Sequence, residues 1–97
     1  MQIFRMAALL TAEEIERERE TLPDWEVRGK AIVRVFRFKD FAGALKFVNQ
    51  VGGLAETANH HPDIDIRWNQ VRLELSTHSA GGLTGLDFSL ARQIQGL

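Results

Sequence analysis

The chain has 97 residues, of which 44% are hydrophobic and 26% charged, with a net charge of −1 at pH 7. This length allows one small domain and one hydrophobic core, so we treat residues 1–97 as a single domain. The near-neutral charge gives no broad electrostatic attraction to nucleic acid or to an anionic membrane. The absence of cysteine excludes a disulfide framework and fits a reducing compartment.

The first ten residues are mildly apolar and are interrupted by Arg5. They lack the apolar run and the small-residue cleavage site of a signal peptide, and no stretch of the chain reaches the length of a membrane span. We therefore predict a cytoplasmic protein. Residues 1–10 are expected to be a variable N-terminal extension, with Met6 as a second candidate for the start.

The first helix is predicted from the spacing of Thr11 and Glu14, which matches a capping box. We expect this helix to run to about Leu22, because Pro23 stops it. The residues placed to form a hydrophobic staple around its start are Leu10 and Ile15.

Two strands are predicted next, at 25–28 and 31–38, joined by a hairpin turn at Gly29–Lys30. The second strand is apolar on both faces, with Ile32, Phe36 and Phe38 on one and Val33 and Val35 on the other. Such a strand is expected to be covered on both faces or to form a subunit contact.

A second helix is predicted to begin at Asp40 and to end before Pro62. Gly52–Gly53 lies inside it and costs roughly 1 kcal/mol per glycine relative to alanine. Close approach by another element explains the pair best, and local weakness is the alternative. The apolar residues at helical spacing are Phe41, Leu45, Val48, Val51, Ala55 and Ala58.

Two further strands are predicted from alternating apolar residues, with a turn at Asn69–Gln70 between them. The alternating residues are Ile64, Ile66 and Trp68 in one strand and Val71, Leu73 and Leu75 in the next. Gly81–Gly82 then breaks the chain, and Thr84 with Asp87 predicts a second capping box. The last helix has Leu83 and Phe88 as its staple and an apolar face of Leu90, Ala91, Ile94 and Leu97.

The predicted order is α-β-β-α-β-β-α. Short connections favour a four-stranded antiparallel sheet with the helices packed on one face, which is an α+β architecture.

The three histidines all lie near the ends of predicted elements: His60 and His61 after the second helix, and His78 after the last strand. Strand alternation places His78 opposite the apolar face, toward solvent or a cleft. His60 and His61 could simply cap the helix, since its C-terminus favours a cation. The chemical alternative is a set of imidazoles that exchange protons near neutral pH.

Other chemistries have less support. Adjacent histidines diverge in direction, and no cysteine or His-x-x-x-His pair completes a zinc site, so we expect no metal. Ser76, Thr77 and Ser79 flank His78 without a nucleophile elbow or an oxyanion motif. The paired glycines at 52–53 and 81–82 do not have the spacing of a phosphate-binding loop.

The acidic and aromatic candidates each have a structural alternative. Asp87 could serve only as the acid of its capping box, and Glu56 could be a solvated helix residue. Glu56 precedes His60 by four residues and therefore shares a helical face with it, so it could orient or charge-stabilise that imidazole. Trp25 and Trp68 are more often core or interface residues than ligand contacts.

Together these residues resemble the signature of the pterin-4a-carbinolamine dehydratases, over nearly the whole chain beyond residue 10. The matching positions are Leu22, Trp25, Phe36, Phe38, Asp40, Phe41, Glu56, His60-His61-Pro62, Trp68, Ser76-Thr77-His78, Gly82-Leu83-Thr84, Asp87, Leu90, Ala91 and Ile94. The separation of His-His-Pro from Ser-Thr-His is the most specific part. The sequence departs from the pattern at Ile64, where some relatives have an aromatic residue, and at Ser79, where an acidic residue is common.

The resemblance implies dehydration of 4a-hydroxytetrahydropterin to quinonoid dihydropterin, which regenerates the cofactor of aromatic amino-acid hydroxylases. It implies that the pterin is the substrate and that no other cofactor is needed. It also implies three active-site histidines, His60, His61 and His78. The positions implied to contact the pterin are Asn59, His60, His61, Ser76, Thr77, His78 and Ser79, and those implied to support the site are Glu56, Pro62, Trp68 and Asp87.

Within this set we predict that His60 and His78 form the acid–base pair, and that His61 binds and orients the pterin. The resemblance further implies a homotetramer built as a dimer of dimers. The main alternative function is an interaction module, because some relatives also act as dimerisation cofactors of a homeodomain transcription factor. A chaperone-like relative without catalysis is a third, and the complete histidine set argues against it.

Overall fold

The structure is a computed structural model and describes residues 7–97. Within that range the helices are α1 (Ala12–Glu20), α2 (Phe41–Ala58) and α3 (Gly85–Gln95), and a short 3-10 helix spans His78–Ala80. The strands are β1 (Glu26–Arg28), β2 (Ala31–Arg37), β3 (Asp63–Arg67) and β4 (Gln70–Leu75). They form one antiparallel sheet in the order β1-β2-β4-β3. The predicted element order and the α+β class are confirmed.

The core lies between one face of the sheet and the helices. β4 shows the predicted alternation, since Val71, Leu73 and Leu75 are fully buried while the intervening residues are not. Phe47 of α2 lies against Phe36, with ring centroids 4.6 Å apart. The other large, fully buried apolar side chains include Leu22, Trp25, Ile32, Val51, Phe88, Leu90 and Ile94.

All three helix starts occur where the sequence predicts them. Thr11 and Thr84 each form a complete capping box. Asp40 Oδ1 accepts a hydrogen bond of 2.9 Å from the Gly43 backbone nitrogen. Each of these caps satisfies backbone donors that have no partner inside the helix.

The first helix is shorter than predicted. It ends at Glu20, and Thr21 closes it by donating its hydroxyl to the Glu18 carbonyl at 2.7 Å. Leu22 and Trp25 then enter the core through a turn, in which the Trp25 nitrogen donates to the Leu22 carbonyl at 3.0 Å. For that reason β1 begins one residue later than predicted.

The turn between β3 and β4 is also displaced. Arg67 pairs with Gln70, so the turn is Trp68–Asn69, and the prediction of Asn69–Gln70 was wrong. Trp68 is not a strand residue: its φ is 49° and it is 66% exposed. Asn69 holds the turn in place, because its side-chain nitrogen donates to the Phe38 carbonyl at 2.9 Å.

The buried face of α2 differs from the predicted one. It consists of Ala44, Phe47, Val51 and Ala55, whereas Phe41 and Leu45 are 46% and 44% exposed. The packing of Phe47 against Phe36 of β2 and against Phe38, just after that strand, accounts for this rotation. Helical spacing alone could not distinguish the two faces, because both are apolar over the first two turns.

In three other places the described chain does not supply the packing that the sequence predicts, and for β2 the alternative, a subunit contact, stays a prediction. No described atom lies within 4 Å of a Cβ placed at Gly52 or Gly53, so no element approaches them closely. The outer face of β2 is only partly covered, since Val33 is buried but Val35 is 44% exposed. Leu97 does not join the apolar face of α3 and is 51% exposed.

The predicted N-terminal extension and the alternative start at Met6 lie largely outside the described residues. Next to that region, the Leu10 nitrogen donates to the Leu83 carbonyl at 3.0 Å, which ties the entry of α1 to the entry of α3. Among the residues of 7–97, no helix is long and apolar enough to cross a membrane.

Candidate active site

His60 and His61 lie beyond a sharp reversal at the end of α2. Asn59 adopts a left-handed conformation with φ 50° and ψ 42°. The Asn59 nitrogen donates to the Glu56 carbonyl at 3.2 Å, and the His60 nitrogen donates to the Ala55 carbonyl at 3.1 Å. This pair of bonds is a Schellman motif. It turns the chain so that neither histidine continues the helix.

His60 points into the protein. It is 9% exposed, and its Nε2 lies 2.6 Å from Oδ1 of Asp87, a fully buried carboxyl group in the first turn of α3. A buried ionisable group needs a partner to offset lost hydration. Each of these two groups supplies that partner to the other.

Asp87 has a second set of contacts through its other oxygen. Oδ2 accepts hydrogen bonds from the Thr84 backbone nitrogen at 2.9 Å and from the Thr77 hydroxyl at 2.8 Å. The capping role and the site role of Asp87, which are alternatives at the level of sequence, therefore coexist. One carboxyl group closes the start of α3 and binds His60 at the same time.

His61 is oriented outward. Its side chain is 55% exposed, and Nε2 lies 2.5 Å from Oε2 of Glu56. The prediction that Glu56 orients His60 was wrong, because the reversal at Asn59 removes His60 from the helical face that Glu56 occupies. Ion pairs this exposed contribute little stability, so Glu56 restrains His61 only weakly.

His78 is the first residue of the short 3-10 helix and is exposed, as strand alternation predicts. It directly follows Thr77, which is 4% exposed and whose backbone pairs with Gly82. Because Thr77 also binds Asp87, the chain that carries His78 is anchored to the carboxyl group that holds His60.

The remaining predicted site residues differ in their hydrogen bonds, in their exposure and in their distance from the histidines. Ser76 donates its hydroxyl to the Lys30 carbonyl at 2.7 Å, so this group is already engaged. Asn59 and Ser79 are exposed, and Pro62 is half-buried beside the histidines. Trp68 lies at the other end of β3 from Pro62, a separation of about 17 Å for a strand of this length. It is not brought to the histidines within this chain.

The hydroxyl of Thr84 is the part of the site that sequence reasoning missed. It lies 2.8 Å from the Thr77 hydroxyl and is completely buried. The sequence signals Thr84 only as a helix cap. Its contact with Thr77 depends on the pairing of Thr77 with Gly82, which no local pattern reveals.

The described surface offers no competing centre built from histidines. One cavity of about 350 Å³ lies on the outer face of the sheet. Another, of about 650 Å³, lies between α1 and the segment that leads into β1. Neither is lined by a histidine. No group of three or more His, Cys, Asp or Glu residues between 7 and 97 is arranged to hold a metal ion.

The fold and the site together define a small α+β domain in which a buried carboxylate holds one histidine, His60, and is tied through Thr77 to the segment that carries His78. Residues 8–97 match the family model of pterin 4 alpha carbinolamine dehydratase. The chain belongs to this family, which is a family of hydro-lyases.

Individual relatives agree with this assignment. The chain is 53% identical over 90 residues to a protein of Acidobacterium capsulatum, covering 93% of this chain and 98% of the relative. It is 55% identical over 89 residues to a protein of Roseiflexus castenholzii, covering 92% and 96%. Both relatives carry pterin-4-alpha-carbinolamine dehydratase as a provisional name.

Solved structures show the same fold. A transcriptional coactivator/pterin dehydratase from Brucella melitensis superposes with a TM-score of 0.85 at 39% identity, covering 90% of this chain and 95% of that one. A pterin dehydratase-like RuBisCO assembly factor of the alpha-carboxysome superposes with a TM-score of 0.65 at 21% identity, covering 75% and 87%. The second likeness concerns the fold alone.

Proposed function

We propose that this protein is a 4a-hydroxytetrahydropterin dehydratase that works by histidine acid–base catalysis. The observation that supports this most directly is the buried contact between His60 Nε2 and Asp87 Oδ1. It fixes the orientation of one imidazole in a chain of the dehydratase family. The substrate class comes from the family, and the roles below come from the residues.

The reaction requires two proton transfers. The C–O bond at the 4a carbon breaks, and a general acid protonates the departing hydroxide to give water. A ring N–H gives up its proton to a general base as the new C=N double bond forms. Imidazoles serve in both roles near neutral pH, each contributing about a hundredfold or more in rate.

We assign the acid–base pair to His60 and His78, and pterin binding to His61. A carboxylate holds His60 in one orientation, which suits proton transfer along a defined direction. His61 is exposed and only loosely restrained by Glu56, which suits a binding contact. His78 is anchored to the same carboxyl group through Thr77. Asn59, Ser76, Thr77 and Ser79 surround these histidines along the chain as further proposed pterin contacts.

Steady-state dehydratase kinetics on single variants test this assignment. We expect His60→Gln and His78→Ala to lower kcat by about a hundredfold or more. His60→Gln can keep a donor toward Asp87, so it removes proton exchange with the least disturbance of the buried site. We expect His61→Ala mainly to raise KM.

Two results would contradict this assignment. If His61→Ala abolished turnover while His60→Gln only weakened binding, the roles would be reversed. If replacing His60 and His78 together left activity unchanged, the catalytic proposal itself would fail. Circular dichroism on each variant controls for loss of the fold.

We also propose that the protein is a cytoplasmic homotetramer that recycles the pterin cofactor of aromatic amino-acid hydroxylases. The open face of α2 supports self-association, because Phe41 and Leu45 are exposed beside Gly52. The alternative is an interaction module, favoured by the coactivator name of the Brucella melitensis structure. A dehydratase assay on the wild-type protein separates the two, because an interaction module alone would not turn over pterin.

A further inference from the structure

Two buried hydroxyl groups extend the carboxylate–histidine pair deeper into the protein. Thr77 Oγ lies 2.8 Å from Asp87 Oδ2 and 2.8 Å from Thr84 Oγ. A hydroxyl has one proton to donate. Since Thr77 donates its proton to the carboxylate, it must accept at the other contact. Thr84 is therefore the donor to Thr77, and the hydrogen bonds run in one direction from Thr84 through Thr77 to Asp87.

The donors around Asp87 occupy one of its two oxygens. Oδ2 accepts from the Thr77 hydroxyl and from the Thr84 backbone nitrogen. A carboxylate accepts hydrogen bonds but does not donate them. Asp87 Oδ1 must then accept from His60 Nε2 across the 2.6 Å contact.

This arrangement distinguishes the two ring nitrogens of His60. Turning the ring over would place a carbon at 2.6 Å from Oδ1, which is too short for a C···O contact, so the nitrogen is correctly placed. Nδ1 has no hydrogen bond within residues 7–97. Within residues 7–97, Trp25 Nε1 is the one side-chain polar atom that is fully buried and has no hydrogen-bond partner. Nδ1 of His60, which also has no partner, is therefore not fully buried. Nδ1 therefore keeps access to solvent.

We propose that Thr84 and Thr77 are positioning residues that act through Asp87, so that His60 keeps its proton on Nε2 and exchanges protons with the substrate through Nδ1. The exchange step rests on the proposed dehydratase function. The capping box of α3 uses the Thr84 hydroxyl as an acceptor from the backbone and Asp87 as the acceptor from the Thr84 nitrogen. The bonds from the Thr84 hydroxyl to Thr77 and from Thr77 to Asp87 are additional to that box, and they restrain the carboxylate that binds His60.

Nitrogen-15 NMR of the imidazole rings tests the arrangement without any substrate. In the wild-type protein we expect neutral His60 to carry its proton on Nε2, and that proton to exchange slowly with solvent. Thr84→Val removes the donor to Thr77 together with the side-chain cap of α3, whereas Thr77→Val interrupts the same chain of hydroxyl groups and leaves that cap in place. Both variants should make the exchange faster. Thr84→Ser keeps the hydroxyl and should restore slow exchange.

Kinetics supply the functional readout. We expect Thr84→Val to lower kcat by about two- to thirteenfold, the factor that corresponds to losing one net hydrogen bond of about 0.5–1.5 kcal/mol, with little change in KM. Thr84→Ser should rescue kcat. Thr11→Ala provides a matched control, since it removes the cap of another helix and should leave His60 exchange and kcat unchanged.

Two NMR results would overturn the inference: a neutral ring with its proton on Nδ1, or equal exchange rates in Thr84→Val and the wild-type protein. A wild-type protein that shows the expected NMR signals but has no dehydratase activity would overturn the proposed function instead. The two failures are distinguishable because the NMR experiment contains no pterin.

Discussion

Asn59 is the residue that decides where both neighbouring histidines point. Its left-handed conformation, with φ 50°, reverses the chain between α2 and His60. Sequence reasoning named the histidines and Asp87 as candidates, and the structure brings His60 and Asp87 into contact. It paired Glu56 with the wrong histidine, because a spacing of four residues implies a shared face only while the helix continues. Asparagine tolerates this conformation better than most residues do, and this preference is the signal that could have revealed the reversal.

The free energy of unfolding of Asn59 variants should depend on whether the new residue tolerates the left-handed backbone conformation, and not on contacts of its side chain. We expect Asn59→Gly to leave the free energy of unfolding nearly unchanged, because glycine adopts the left-handed region readily. We expect Asn59→Val to lower it by about 1–2 kcal/mol, because its branched side chain opposes that region. Urea unfolding followed by circular dichroism measures both. Equal stability of the valine and glycine variants would show that the conformation imposes no strain.

Of α1, α2 and α3, only α1 has no buried residue. It is attached through partly buried Ile15 and through an ion pair between Glu18 and Arg92 of α3. The capping box at Thr11 therefore contributes a large share of its stability. Helix starts were the features most accurately predicted from sequence, because a cap is a local pattern of side chain and backbone. The buried face of α2 was predicted less well, because tertiary packing of Phe47 decides it.

Thr11→Ala should destabilise α1 locally by about 0.5–2 kcal/mol. We expect faster amide hydrogen exchange in α1 and unchanged exchange in β4, since a weakly packed helix can open without the core. Thr11→Ser keeps the hydroxyl cap and serves as the control. The prediction is contradicted if exchange in α1 does not change, or if β4 accelerates to the same extent.

For the molecule as a whole, the sequence predicted the fold class but not which apolar surface stays uncovered. Alternation and helical spacing locate apolar residues, and they do not tell whether a residue packs within the chain or against another chain. Phe41, Leu45 and Val35 are exposed in the single chain for this reason. Exposed apolar surface on a domain of 97 residues favours association, which increases the fraction of surface that is buried.

Light scattering on the wild-type protein should give about four times the subunit mass of 11.0 kDa. We expect Leu45→Glu to lower this mass, because a charge on the open face of α2 opposes its burial against another subunit. Gln50→Glu, which places the same charge at another exposed position of α2, should keep the wild-type mass. A wild-type mass of one subunit would contradict the proposed tetramer.

Asp87 closes the start of α3 and holds His60 with the same carboxyl group. Natural selection can therefore retain this aspartate for either of two reasons, the helix cap or the contact with His60. A lineage that abandoned pterin chemistry would still be selected to retain the aspartate, since the domain needs its cap. An aspartate at this position in a diverged chain is therefore poor evidence of surviving activity. The histidine at position 60 is the better diagnostic, because its side chain closes no helix.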